Sequence, residues 1–241
     1  MRFDVFSYSN KGGRVYNEDS VGYSINGNSG IFVVADGLGG HEFGELASAT
    51  VCNSLLSDWT GGFEGRPESW LKDRIELSNQ TVLSLQQEKN TVLKSTVVTL
   101  AIDNGRPVWA NSGDSRLYYI SNNELCHVTN DHSVAYKMYK AGEITKDAIR
   151  THEDQSSLLR SIGGTDRYEP EMYDLGVTLK SGDAFMLCTD GVWEYLSDEE
   201  VAIDFLKSCD SKQWAERLLL RLMDRINGEN DNLTILTIMV E

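Results

Sequence analysis

Hydrophobic and polar residues alternate, or form short apolar runs, in many separate segments of the chain, with turn-forming residues between them. Both patterns are typical of β-strands that are partly or fully buried. The strands predicted in this way are Phe3–Tyr8, Asp19–Ile25, Ile31–Ala35, Ser95–Ile102, Pro107–Asn111, Arg116–Ile120, Glu124–Val128, Glu171–Leu175, Ala184–Cys188 and Leu233–Val240. Asp103-Asn104-Gly105 predicts a hairpin turn between two of them.

Helical spacing of apolar residues occurs in three places. One helix is predicted to begin near His41, a second covers Glu68–Gln87, and a third covers Ser211–Ile226. Ser197 and Glu200 form a capping box that opens a further short helix. Because the helices come in pairs and do not follow each strand, a doubly wound parallel sheet is disfavoured. The sequence predicts an α+β fold in which a central two-sheet antiparallel β-sandwich is flanked on both outer faces by helix pairs.

One long segment, about 131–165, differs from the rest because it is polar and contains no predicted strand. It holds only a short predicted helix, Val134–Ala141. Long connections inside a compact domain are often functional, so we expect a flap over the site. With 241 residues, three prolines and no low-complexity linker, the chain is expected to form a single domain, 1–241.

Composition and charge limit the classes of partner. The net charge is −15 and no basic stripe is visible, so neither nucleic acid nor an anionic membrane is an expected partner. No apolar run is long enough to span a bilayer, and the N-terminus lacks the apolar region of a signal peptide. The four cysteines lack metal-type spacing. A reduced, cytoplasmic protein is the expected setting.

Acidic residues stand beside buried strands in three places. Two apolar runs end at Asp36-Gly37 and Asp190-Gly191, and Asp231 precedes a third run. Asp-Gly alone is usually a turn, but carboxylates near an apolar core raise one another's pKa unless a cation lies between them. Oxygen ligands without His or Cys favour Mg²⁺ or Mn²⁺. Since Gly37 has no Cβ, its backbone carbonyl could also reach a metal.

Further residues extend this candidate site. Glu18 and Asp19 lie at the start of a strand, and Asp114 lies in a tight turn between two strands. Each of these acids alone could be an ordinary surface residue. Arg14 would usually be a solvated surface residue, but beside an acidic metal site it becomes a candidate clamp for phosphate, because guanidinium binds phosphate oxygens in a bidentate manner.

Six short motifs, in order along nearly the whole chain, resemble a known family. They are Arg14-Val15-Tyr16-Asn17-Glu18-Asp19, Val34-Ala35-Asp36-Gly37-Leu38-Gly39-Gly40-His41, Ser112-Gly113-Asp114-Ser115-Arg116, Thr129-Asn130-Asp131-His132-Ser133, Thr189-Asp190-Gly191-Val192-Trp193 and Asn230-Asp231-Asn232. The chain resembles bacterial metal-dependent serine/threonine protein phosphatases of the protein phosphatase 2C (PP2C, or PPM) type.

The resemblance implies a role for each candidate residue. Two metal ions, Mn²⁺ or Mg²⁺, would be bridged by Asp36, and a third ion is conceivable. The implied set around the metals is Asp36 as the bridge, Asp190 and Asp231 on the first ion, the Gly37 carbonyl on the second, Glu18 and Asp19 orienting bound waters, and Asp114 at the third ion. Arg14 would hold the substrate phosphate. Glu194 stands where many members have Asp, and His41 cannot be assigned as the general acid.

By the same resemblance, the expected reaction is hydrolysis of phosphoserine and phosphothreonine on proteins. A hydroxide bridging the metals would attack phosphorus in line, without a covalent intermediate. A cognate serine/threonine kinase, or its targets, is an expected partner. Two alternatives stay open. One is a catalytically weak pseudophosphatase that acts as a binding or scaffolding module, and the other is a structural cation-binding protein.

Overall fold

The computed structural model describes residues 1–39, 43–165 and 168–241, and in these it contains eleven β-strands and six α-helices. The strands are β1 (Phe3–Asn10), β2 (Asp19–Asn26), β3 (Ser29–Gly39), β4 (Leu93–Ser95), β5 (Val97–Asp103), β6 (Arg106–Ser112), β7 (Arg116–Ser121), β8 (Glu124–Val128), β9 (Glu171–Tyr173), β10 (Ala184–Cys188) and β11 (Leu233–Val240). The helices are α1 (Gly44–Ser57), α2 (Pro67–Lys89), α3 (Val134–Lys140), α4 (Asp190–Trp193), α5 (Asp198–Leu206) and α6 (Ser211–Met223).

The strands form two antiparallel sheets. One sheet has the order β1-β11-β10-β7-β8, and the other has the order β2-β3-β5-β6-β9, with β4 paired to β3. In the first sheet β11 lies between β1 and β10, with Phe3 opposite Val240. Short hairpins join β2 to β3, β5 to β6 and β7 to β8. In the second of these, Asp103-Asn104-Gly105, Asn104 and Gly105 have positive φ as the tight turn requires.

Three apolar layers hold the sheets and helices together. Between the sheets, fully buried side chains such as Phe32 and Leu100 face Phe185 and Leu236. Helices α1 and α2 cover the outer face of the β2-containing sheet, and α5 and α6 cover the other outer face. Each fully buried large side chain contributes roughly 1.5–3 kcal/mol. The predicted α+β sandwich with helix pairs on both outer faces is confirmed.

Most predicted elements are found within a few residues of their expected bounds, but two differ. Strand β3 does not end at Ala35, as predicted, because it continues through Asp36 and Gly37 to Gly39, where it pairs with β4. Strand β4 has only three residues and was not predicted as a separate strand. Asp190 is the first residue of the helical turn α4.

The helix boundaries follow local capping chemistry. The predicted capping box of α5 is confirmed, since Glu200 N–H donates to Ser197 Oγ at 3.2 Å and Ser197 N–H donates to Glu200 Oε2 at 3.0 Å. Helix α1 is described from Gly44, and its predicted start near His41 lies outside the described residues. No helix in the described ranges is long and apolar enough to cross a membrane.

The polar segment 131–165 contains α3 and a 3-10 helix, Asp147–Thr151. Arg150 attaches this 3-10 helix to the turn that follows β10. Its Nε donates to the carbonyls of Trp193 and Leu196 at 3.3 and 3.1 Å, and its Nη2 donates to Asp198 at 3.1 Å. The segment is therefore tied to the same turn that begins with Asp190.

Candidate active site

The candidate acids converge on a cavity of about 730 Å³ at one edge of the sandwich. Its lining comes from the loop before β2, the end of β3, the start of α4, the residues before β11, and the polar segment 131–165. The lining residues are Arg14, Val15, Tyr16, Glu18, Asp36, Gly37, Leu38, Ser156, Asp190, Asp231 and Asn232. Six of the eight residues predicted for the site therefore line one cavity, while Asp19 and Asp114 are buried and are not among its lining residues.

Asp36 and Asp19 are directly opposite each other on neighbouring strands. Side chains of such a pair share one face of the sheet, and two like charges there repel. Burial and the nearby Asp190 raise the pKa of Asp36 well above its ordinary value. Burial and Asp190 also raise the pKa of Asp19 to about 7. The fold therefore concentrates carboxyl groups that resist losing their protons unless a cation joins them.

The backbone of Asp36 is hydrogen-bonded to two hydroxyl residues, Ser95 and Thr96. Asp36 N–H donates to Thr96 Oγ1 at 2.9 Å, Thr96 N–H donates to the Asp36 carbonyl at 2.8 Å, and Ser95 Oγ donates to that carbonyl at 3.0 Å. Because Thr96 Oγ1 accepts from Asp36, its own hydrogen is available to Ser115 Oγ at 2.7 Å. Sequence reasoning gave no function to Ser95 and Thr96. The sequence signal that could have indicated their role is the presence of two small hydroxyl residues at the junction between two strands.

Gly37 is closely packed on both sides. A Cβ at this position would lie 2.1 Å from the Gly44 carbonyl oxygen and 2.6 Å from that of Glu18. Gly37 N–H donates to the Glu18 carbonyl at 3.0 Å, which binds β3 to the loop before β2. Any side chain here would force these backbones apart, so the glycine is required by close approach.

Asp190 and Asp231 are brought together by the adjacent strands β10 and β11. Thr189, just before Asp190, donates from its hydroxyl to Asp19 Oδ2 at 3.0 Å. Burial, with Asp231 as the next cause, raises the pKa of Asp190 to about 6. The strand pairing thus brings the carboxyl groups of Asp19, Asp190 and Asp231, which are far apart in sequence, into one region of the structure.

Arg14 is the nearest cation to these acids. Its Nε and Nη2 donate to the two carboxylate oxygens of Asp231 at 2.9 and 2.8 Å, a bidentate ion pair. The hydrogen bonds to Asp231 raise the pKa of Arg14. The Arg14 side chain is 59% exposed and that of Asp231 is 41% exposed, and both residues line the cavity.

Asp114 is buried behind the cavity and is not among its lining residues. Its carbonyl accepts a hydrogen bond from Trp193 Nε1 at 2.9 Å, and the Trp193 ring covers the Arg116 guanidinium at 3.5 Å. Burial and Asp190 raise the pKa of Asp114 well above its ordinary value. Glu194 is near the same group, and burial with Asp190 raises the pKa of Glu194 to about 8.

Two further observations bear on the predicted site. His41, for which no general-acid role was assigned, lies outside the described residues. Ser156 brings the polar segment 131–165 to the cavity wall. No sequence signal singled out Ser156, because only the three-dimensional path of the segment places it there.

The donor set fits divalent cations that prefer oxygen ligands. Asp19 Oδ1 is buried and has no hydrogen-bond partner, which is costly for a carboxylate without a cation. The cavity is lined by carboxylates and by the tightly packed backbone at Gly37, and no His or Cys lines it in the described part of the chain. Among those residues, no three His, Cys, Asp or Glu side chains already surround a common metal position.

Comparison with known proteins identifies the family. The family model "Protein phosphatase 2C" matches residues 9–224. This chain belongs to the protein phosphatase 2C family. The phosphatase is 32% identical over 232 residues to the serine/threonine phosphatase stp of Listeria welshimeri, a match that covers 93% of this chain and 90% of that protein.

Solved structures of related phosphatases share the fold. The serine/threonine phosphatase of S. agalactiae superposes with a TM-score of 0.87 at 26% identity, covering 100% of both chains. The catalytic domain of the phosphatase PstP, solved in complex with two manganese ions, has the same fold, with a TM-score of 0.85, 24% identity and coverage of 98% and 97%. By its family, the protein described here is a PP2C-type protein serine/threonine phosphatase.

Proposed function

We propose that the enzyme hydrolyses phosphoserine and phosphothreonine directly, in the cavity where Arg14 meets the carboxylates. This convergence of one guanidinium and four acidic side chains carries the proposal. A dianionic phosphate would be repelled by the acids alone, so cations must bind first and reverse the local charge.

The residues would divide the work as follows. Asp36 would bridge two divalent cations, Mn²⁺ or Mg²⁺, with Asp190 and Asp231 on the first and the Gly37 carbonyl on the second. Glu18 and Asp19 would orient water, and the buried Asp114 would serve a third cation together with Asp190. When bound, the cations would supply an activated water nucleophile and neutralise phosphate charge. Arg14 would turn from Asp231 to the phosphate oxygens and fix the group for in-line attack.

Covalent catalysis by a cysteine is not supported by the positions of the thiols. Burial raises the pKa of Cys52 to about 11 and that of Cys188 also upwards, so neither is a ready thiolate. Cys126 and Cys209 are exposed, and neither lines the cavity. A cysteine nucleophile is therefore disfavoured in this cavity.

The segment 131–165 would act as a flap of a single phosphatase domain, 1–241. Ser156 at the cavity wall and the Arg150 contacts to the turn after Asp190 support this role. A serine/threonine kinase, or its targets, would be the partner class, since phosphoserine and phosphothreonine arise by kinase action.

The test is hydrolysis of a phosphoserine peptide and a phosphothreonine peptide by the purified protein, with Mn²⁺, with Mg²⁺ and after metal removal by EDTA. We expect turnover with added cation and none in EDTA. In ¹⁸O-labelled water one labelled oxygen should enter the released phosphate, and acid quenching should trap no phosphoenzyme. Binding without turnover would favour the pseudophosphatase alternative. Cation binding that only raises the melting temperature would favour a structural cation site.

A further inference from the structure

One side chain holds the loop that carries Arg14 and Glu18. The Asn232 amide donates to the carbonyls of Lys11 and Tyr16, both at 2.9 Å, and its Oδ1 accepts from Glu18 N–H at 2.8 Å. Both amide hydrogens are therefore used, and Asn232 is 5% exposed. A single buried side chain thus fixes the loop at its beginning, at its middle and at its end.

The same loop also lies directly against the backbone around Asp231. Gly13 N–H donates to the Asn230 carbonyl at 3.0 Å. A Cβ on Gly12 would lie 2.2 Å from the Asp231 carbonyl oxygen. With backbones in such close contact, a small rotation of the loop would move Arg14 and Glu18 relative to Asp231.

The position of the Arg14 side chain depends on how firmly its backbone is held, more than that of a buried side chain would. Its side chain is 59% exposed, so packing does little to restrict its rotamers, and its reach is set by where its backbone is held. Glu18 is bound on both sides, since its backbone N–H meets Asn232 and its carboxylate accepts from Gly44 N–H at 3.2 Å. Binding groups must be held closely to their productive positions to act.

We infer that Asn232 is a positioning residue, which sets Arg14 and Glu18 in register with Asp231 so that phosphate and cations meet in one cavity. The inference rests on the proposed function of this cavity. Asn232 acts through the loop and is not itself expected to touch the reacting atoms. A residue of this kind should change substrate binding through Arg14, whereas an ordinary buried asparagine should change stability alone.

The variants Asn232→Ala and Asn232→Asp separate these roles. Aspartate keeps an oxygen that can accept from Glu18 N–H but loses both donors to Lys11 and Tyr16. We expect KM for a phosphoserine peptide with Mn²⁺ to rise about tenfold in Asn232→Ala, because the loop that carries Arg14 loses the hydrogen bonds that align it. Asn232→Asp should show a rise of similar size, with kcat reduced less than KM is raised.

The decisive measurement is a double-mutant cycle with Arg14→Ala. If Asn232 works through Arg14, replacing it in the Arg14→Ala protein should have little further effect on KM. An equally large rise in both backgrounds would overturn the inference. Asn79→Ala is the matched control, because Asn79 is also buried and accepts from Gly163 N–H at 2.7 Å. It should lower the melting temperature and leave KM unchanged.

Calorimetric binding of inorganic phosphate to the Mn²⁺-loaded variants gives a second readout that does not need turnover. Phosphate affinity should fall about tenfold in Asn232→Asp and should be insensitive to that change once Arg14 is alanine. Unchanged phosphate affinity in a folded Asn232→Asp protein would refute the positioning role. Absence of turnover by the wild-type protein would instead refute the proposed function, while the phosphate cycle would still decide the role of Asn232.

Discussion

In the proposed function, Arg14 and a divalent cation compete for the carboxylate of Asp231, and this competition predicts that removing Arg14 strengthens cation binding. Arg14 binds Asp231 through two hydrogen bonds of 2.9 and 2.8 Å. A cation that binds Asp231 must displace it. Because both side chains are well exposed, at 59% and 41%, the pair is worth at most about 1 kcal/mol. Arg14→Ala should therefore tighten Mn²⁺ binding by up to about fivefold, and removal of the positive charge acts in the same direction.

Isothermal titration with Mn²⁺ at low salt, without phosphate, measures this effect. Arg14→Lys is the matched control, since it keeps the charge but loses the planar fork, and its affinity should lie between the other two. The difference should shrink at high salt, where exposed charges are screened. In turnover, Arg14→Ala should raise KM for a phosphoserine peptide about tenfold or more, as expected for lost charge-assisted hydrogen bonds. Unchanged or weaker Mn²⁺ binding by Arg14→Ala would refute the competition.

Three other changes test separate parts of the structure. Asp36→Asn should lower turnover at least about a hundredfold and weaken Mn²⁺ binding in calorimetry, because it removes the proposed bridging charge; near-normal rates would contradict the bridge. Thr96→Val should lower the melting temperature and turnover, while Thr96→Ser should keep both, since the hydroxyl is the part of the Thr96 side chain that binds the Asp36 backbone; equal behaviour of the two variants would contradict a role for this hydrogen bond. Arg225 lowers the pKa of Glu200 to about 2, so this carboxylate stabilises the fold above its unfolded pKa and ceases to do so as pH falls toward 2. In acid unfolding Glu200→Gln should lose that part of the pH dependence, whereas Glu229→Gln, an exposed control, should not.

The repeating patterns of the sequence predicted the sandwich because alternation and helical spacing depend only on neighbouring residues. The acids were also visible, because Asp190 and Asp231 directly adjoin apolar strands. The extension of β3 beyond Asp36 was missed, since Gly37 and Gly39 carry no strand signal of their own. That extension depends on pairing with the three residues of β4, which lie more than fifty positions away.

Contacts between distant loops could not be derived from the sequence. Arg14 and Asp231 are 217 positions apart, and Asn232 is 221 positions from Lys11, whose carbonyl it binds. Their meeting depends on β1 pairing with β11, which brings the loop after one strand beside the loop before the other. The residue types indicated a charged site, but only the strand order shows which charges face each other.

The central place of β11 has a consequence for how the enzyme is made. This strand follows all other described elements in chain order, yet it joins β1 to β10 and is preceded by Asp231 and Asn232. During synthesis, β1 therefore has no sheet partner until the residues through Val240 have left the ribosome. Asp231 therefore joins the other carboxylates of the cavity only when the strand that closes this sheet is in place, so the cavity and the sheet are completed together, late in folding.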